Sequence, residues 1–219
     1  MQFANLLARD GLTKDVRSLI GVAVSTWNAD WQSATAWIAA AHQQQQARAD
    51  LEETLLQCVL FCGFPRVITA FECLNDTWPV DQPPSGGSLP LSEQTAAGSD
   101  LFRTIYGKND TQVRAMLKSF HGELHDFVLE AAYGRILSRP HLTAKVRELI
   151  AVAVLAAQGQ KRQFVGHARG AAELWRRHYE RHPATAAAER ARRAPHNTRQ
   201  TGQTPQRPRL TLFLVGPAV

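Results

Sequence analysis

The sequence holds only three cysteines, too few for a disulfide scaffold, and the odd number fits a reducing compartment. No apolar run approaches the roughly 20 residues that a bilayer crossing requires, so no membrane span is expected. The first residues, MQFANLLARDG, lack the basic-then-apolar order of a secretory signal. Nothing alternates apolar and polar residues for long enough to suggest a sheet. With 14 Gly and 11 Pro among 219 residues, and 44% hydrophobic side chains, the chain is neither collagen-like nor wholly disordered. What remains is a soluble, cytoplasmic, all-α protein, long enough for one domain or two small ones with a real core.

Acidic residues are scarce in one place, and that decides what the charge means. From residue 176 to residue 209 there are nine Arg, no Lys and only Glu180 and Glu189, a net of +7. The chain as a whole carries +6, so the body is close to neutral. Nucleic-acid binding normally needs a basic folded face. The pI near 9.6 therefore reports the tail and argues neither for nucleic acid nor for a membrane surface.

What is present is an internal repeat. Leu12-Thr-Lys-Asp-Val-Arg-Ser-Leu-Ile-Gly-Val-Ala-Val aligns without a gap on Leu142-Thr-Ala-Lys-Val-Arg-Glu-Leu-Ile-Ala-Val-Ala-Val, with 9 of 13 positions identical. The offset of 130 residues indicates two copies of one supersecondary unit rather than a solenoid. Each copy reads as helices. Thr13 and Thr143 stand where N-caps belong, and Val146, Leu149, Ile150, Ala153 and Val154 recur at helical spacing. A second helix is expected over residues 31 to about 49 in the first copy and 161 to about 179 in the second. A third should run from about 50 to 62, with Asp50 as its cap and Glu53 at the capping-box position. Gly63 stops it, and Phe64-Pro65 restarts a further helix. Helices resume at Asp100, then over 110–120 and 124–137.

This gives four divisions: a first unit over 1–76, a Pro/Gly-rich linker over 77–98, a second unit over 99–179, and an Arg/Pro-rich tail over 180–219 expected to be poorly ordered.

Three segments of the second copy, Tyr133-Gly-Arg-Ile-Leu-Ser-Arg-Pro-His-Leu-Thr, Arg147-Glu-Leu-Ile-Ala-Val-Ala and His167-Ala-Arg-Gly-Ala, resemble the carboxymuconolactone decarboxylase family. In the first copy, Glu52-Glu-Thr-Leu-Leu-Gln followed by Gly63-Phe-Pro-Arg resembles the segment that closes that family's unit. The resemblance covers roughly residues 5 to 76 and 100 to 175. It implies the all-helical, alkyl hydroperoxidase D-like fold in tandem copies, and a homo-oligomer, commonly a trimer or hexamer. The family includes decarboxylases, thiol-dependent peroxide reductases and members without an assigned activity.

In the peroxide-reducing branch, a Glu is followed after eleven residues by Cys-x-x-Cys and, after three more residues, by a His. Here Glu148 and His167 match the Glu and the His, while Gln160 and Gln163 hold the cysteine positions. In the first copy the four positions are Ser18, Asp30, Ser33 and Trp37. An amide is neither a nucleophilic thiolate nor a resolving thiol, so the branch's thiol chemistry is not expected at the relay.

His167 is the candidate catalytic residue and Glu148 its partner, since a glutamate beside a histidine fixes the tautomer for acid–base work. A buried polar network fastening two helices is the plainer reading of the same pair. Gln163, one turn before His167, and Gln160 are candidate substrate contacts. Arg169, Arg66 and Arg139 are candidates for gripping an anionic substrate, because guanidinium binds carboxylate bidentately. Arg17 and Arg147 occupy equivalent places in copies that otherwise differ, which favours a structural task such as pairing with a carboxylate. Cys58 and Cys62 lie one turn apart and offer an alternative thiol pair. That geometry suits a disulfide poorly, and small apolar packing is the default for them and for Cys73. Trp27, Trp31 and Trp37 form an aromatic pocket or, more simply, core. His121 and His125 have metal-ligand spacing but no visible third ligand, so no metal site is assigned.

The leading expectation is cofactor-free decarboxylation of a small carboxylated lactone. A thiol-dependent peroxide reductase and a non-catalytic oligomeric binding protein are the alternatives.

Overall fold

Thr13 turns an extended backbone into the first helix, its Oγ1 accepting from the Val16 amide. In the computed structural model, which describes residues 11–82 and 87–181, α1 is Lys14–Asn28. Ala29 in the left-handed region ends it, and Asp30 then accepts from the Ser33 amide at 3.0 Å to open α2, Trp31–Gln43. That helix is shorter than the sequence implies, because Gln45 at φ 58° turns the chain within the glutamine run and Gln46 is buried. The next helix, α3, is Arg48–Thr77, capped at Ala47 rather than Asp50. Asp50 lies instead inside the first turn, where its carboxylate faces His141 and the Gln46 amide. Gly63, at φ 76°, breaks α3 where the sequence predicts, and Pro65 restarts it.

Helices resume earlier than expected. The next, α4, is Leu91–Tyr106, so the second half of the anticipated linker is helical and Gly98 is buried within it. A 3₁₀ turn, Gly107–Asn109, leads to α5, Asp110–Phe120, and α6, Gly122–Phe127. A π-helical stretch, Val128–Leu137, continues α6. Thr143 then repeats the Thr13 cap, its Oγ1 accepting from the Val146 amide, and opens α7, Ala144–Ala157. Gly159 at φ 68° makes the turn into α8, Lys161–Arg181. Among the described residues there is no strand, as the all-α reading requires. The expectation about the tail beyond Arg181 lies outside the described residues.

The repeat is a structural fact as well. The hairpins α1–α2 and α7–α8 pack through their Thr-capped helices, which contact each other directly. Leu19, Val22 and Ile38 of the first copy share one core with Leu142, Ile150 and Val154 of the second. Leu51, Leu55 and Cys58 of α3 complete it. By length and composition α3 is apolar enough to cross a membrane, against the expectation from single runs. It is nonetheless bent at Gly63 and buries Glu52, Glu53 and Gln57 among its own core residues. A second core joins Phe102 and Ile105 of α4 to Tyr133 and Leu137 of the π-helical stretch. These two elements approach so closely that a Cβ built on Gly98 would lie 2.5 Å from the Gly134 nitrogen.

Candidate active site

Glu148 stands in the second turn of α7, and the tight turn at Gly159 brings α8 back alongside it. His167 therefore meets it across the hairpin. Nδ1 of His167 lies 3.0 Å from one oxygen of the Glu148 carboxylate and 3.2 Å from the other. The glutamate side chain is 2% exposed and the imidazole 12%. A carboxylate only accepts, so Nδ1 carries the hydrogen and Nε2 is the nitrogen left for chemistry.

Residues that local spacing does not single out complete the surroundings. The Phe61 ring meets His167 edge-on, with centroids 6.3 Å apart. A Cβ on Gly170 would come within 2.7 Å of Ile105 and 3.0 Å of a Glu148 oxygen, so the absent side chain is what lets the carboxylate lie there. The Tyr133 hydroxyl donates to that of Tyr106 at 3.3 Å. Burial raises both phenols above their ordinary range, and the Glu148 charge adds to that rise. Tyr133 belongs to the motif quoted above; Tyr106 had no signal beyond its place near the end of a helix.

The equivalent place in the first copy is filled. Ser18 donates back to the Lys14 carbonyl, and Asp30 with Ser33 forms a helix cap. Hydrogen bonds from Ser33 hold the Asp30 carboxyl below its usual range. Trp37, at the position of His167, lies against Gly21 so tightly that a Cβ there would be 2.2 Å from the indole. Trp27 and Trp31 pack on the same core, so the three tryptophans build structure rather than an open aromatic pocket.

The other candidates divide. Gln160, Gln163 and Arg169 are exposed on or beside α8. Arg66 is half-buried, with its guanidinium 4.6 Å above the Trp27 ring. Arg139 is not available to grip a substrate, because it is buried and forks onto Glu53, with Nη2 2.6 Å from Oε1. Arg147 approaches the other oxygen of Glu53 at 2.7 Å, which gives it the structural task its repetition implies. Burial would raise the Glu53 carboxyl, but hydrogen bonds from Arg139 and Arg147 outweigh it and leave it below the ordinary value. Gln57, from the same helix as Glu53, donates to the Arg147 carbonyl at 2.8 Å.

Cys58 is fully buried and Cys62 half-buried, both as free thiols. Among the described residues no group of three potential ligands converges, and His125 instead contacts Asp126 at 2.8 Å. A depression of about 480 Å³ between Ser88, Leu91, Gln94, Glu130, Ala131 and Arg135 lies apart from the Glu148–His167 pair.

The model of the carboxymuconolactone decarboxylase family matches residues 1–76 and 123–174. The two segments take in the first hairpin, most of the second, and Glu53, Arg147, Glu148 and His167. No curated protein matches the chain.

Proposed function

Because the chain belongs to the carboxymuconolactone decarboxylase family, we propose that it decarboxylates a small carboxylated lactone, with His167 as the proton donor and Glu148 as the group that orients it. The observation that carries this reading is the buried bond between Nδ1 of His167 and the Glu148 carboxylate. Loss of CO2 leaves an electron pair on carbon. A conjugated lactone carbonyl accepts that pair, so the step needs no external electron sink. The carbon must then be protonated. An imidazolium held by a carboxylate at Nδ1 presents its second proton at Nε2, and Glu148 offsets the positive charge until that proton leaves. Water restores the proton afterwards.

Arg66 and Arg169 supply positive charge for the substrate's carboxylate, and Gln160 and Gln163 add amide contacts on the α8 side. Peroxide reduction at the relay has no place in this scheme, since Gln160 and Gln163 offer no sulfur. A homo-oligomer, trimeric or hexameric, is part of the proposal, with the neighbouring subunit completing the pocket wall.

The test is turnover of carboxylated γ-lactones followed by ultraviolet absorbance, wild type against His167→Ala. Loss of turnover with unchanged folding supports the scheme. Equal rates would remove His167 from the reaction, and saturable lactone binding without turnover would make the protein a binding module.

A further inference from the structure

A proline inside a helix deprives an earlier carbonyl of its partner. Pro65 restarts α3 after the kink at Gly63 but carries no N–H. In a regular helix that N–H would go to the carbonyl four residues back, which is that of Phe61. The Phe61 carbonyl instead accepts from the side-chain amide of Gln158 at 2.8 Å. Gln158 belongs to the second copy. It caps the C-terminus of α7, beside the Gly159 turn that brings α8 back alongside Glu148. The bond joins residues 97 apart in sequence.

The side chain of the same Phe61 meets the imidazole of His167 edge-on, with ring centroids 6.3 Å apart and planes at 77°. Its backbone is thus tied to one end of the α7–α8 hairpin while its ring rests on the other arm. Phe61 also packs on the first core, and Leu60 before it on the second, so this turn of α3 straddles both.

We propose that Gln158 and Phe61 are positioning residues for His167, the amide fixing the kinked turn and the phenyl ring fixing the plane of the imidazole. This rests on the reading of His167 as the proton donor and adds what the first copy contributes to it. Glu148 gives the ring one hydrogen bond, at Nδ1, and the ring can still swing about a single bond. An edge-to-face aromatic contact restricts that swing and keeps Nε2 aimed in one direction. The contact is only as firm as the turn that bears Phe61. That turn ends at Gly63, whose φ of 76° and ψ of 165° interrupt the helix two residues later. Without the Gln158 amide, the half-buried Phe61 carbonyl would lack a donor that Pro65 cannot replace, and the turn would shift toward water to find one.

The experiment reads the ring nitrogens of His167 by long-range proton–nitrogen NMR on the full chain at alkaline pH, where the imidazole is neutral. Wild type should show a single tautomer with the hydrogen on Nδ1. Phe61→Leu and Gln158→Met, checked as folded by their urea midpoints, should each raise the share of the other tautomer severalfold. Because Gln158 acts through Phe61, the double variant should match Phe61→Leu alone. Where lactone turns over, kcat should fall severalfold in both single variants with KM near that of wild type. Wild-type nitrogen shifts or a wild-type kcat in either folded single variant would overturn the proposal, as would a double variant clearly worse than Phe61→Leu. The spectra are taken without lactone, so an unmoved tautomer and an absent decarboxylation are separate results.

Discussion

Glu53 and Arg147 lie 94 residues apart in sequence, yet a guanidinium nitrogen of Arg147 is 2.7 Å from a carboxylate oxygen of Glu53, with the arginine 1% exposed and the glutamate 8%. Arg139 closes on the same carboxylate. One anion from the first copy therefore pairs with two buried cations from the second. Breaking such a group leaves uncompensated charge in the interior. Glu53→Gln is expected to destabilise the protein by about 3–5 kcal/mol, read as a lower urea midpoint.

The same carboxylate imposes a pH dependence. Its folded pKa lies below the ordinary 4.5, held there by Arg139 and Arg147 against the cost of burial. The unfolded chain thus binds more protons than the folded chain in that acidic window, and stability rises with pH through it. The contribution is complete above about pH 4.5 and fades as the pH falls through the depressed folded value. Urea midpoints measured from pH 7 downward should fall in wild type below that point, and less steeply in Glu53→Gln.

In the proposed scheme Glu148 acts through His167, and its replacement should show that. Glu148→Gln replaces the anionic acceptor at Nδ1 with a neutral amide that can also donate, so kcat for lactone turnover should drop about 10²-fold or more with a smaller change in KM. The pH profile of kcat should move, and nitrogen NMR of the His167 ring should report a changed tautomer. A merely structural Glu148 would alter stability and leave the pH profile of kcat in place.

Packing at Gly21 makes a further prediction. A methyl there meets the Trp37 ring at 2.2 Å, so Gly21→Ala should cost about 1–3 kcal/mol by overpacking. Adding Trp37→Leu should recover part of that loss. Gly134→Ala meets the Gln94 carbonyl oxygen at 2.7 Å, and because backbone cannot swing aside, no second substitution should rescue it.

Local chemistry explains what could be read in advance. Thr13, Thr143 and Gly63-Phe-Pro act on the few residues beside them, and the caps and the kink appear where the residues place them. The Glu148–His167 contact was legible because it joins neighbouring helices across a short turn. The Glu53 cluster was not, since no spacing rule links residues 86 and 94 apart. Asp50 misled because a capping residue and a first-turn acid look alike; the helix in fact starts at Arg48. The Pro and Gly content of 77–98 hid α4, where Pro90 is the start signal of a helix rather than part of a linker. Nothing in the sequence marks the π-helical stretch, on which Gly134 comes close to Gly98.

Duplication ordinarily doubles what a polypeptide can hold. The indole wedged over Gly21 cancels that gain, for one half of this molecule packs a ring into its core where its sibling carries an imidazole. Stoichiometry follows: ligand titration should saturate at one equivalent per chain, however many chains assemble. On the proposed scheme the first half is then free to accumulate changes that serve rigidity alone, while the pressure of chemistry falls on its twin.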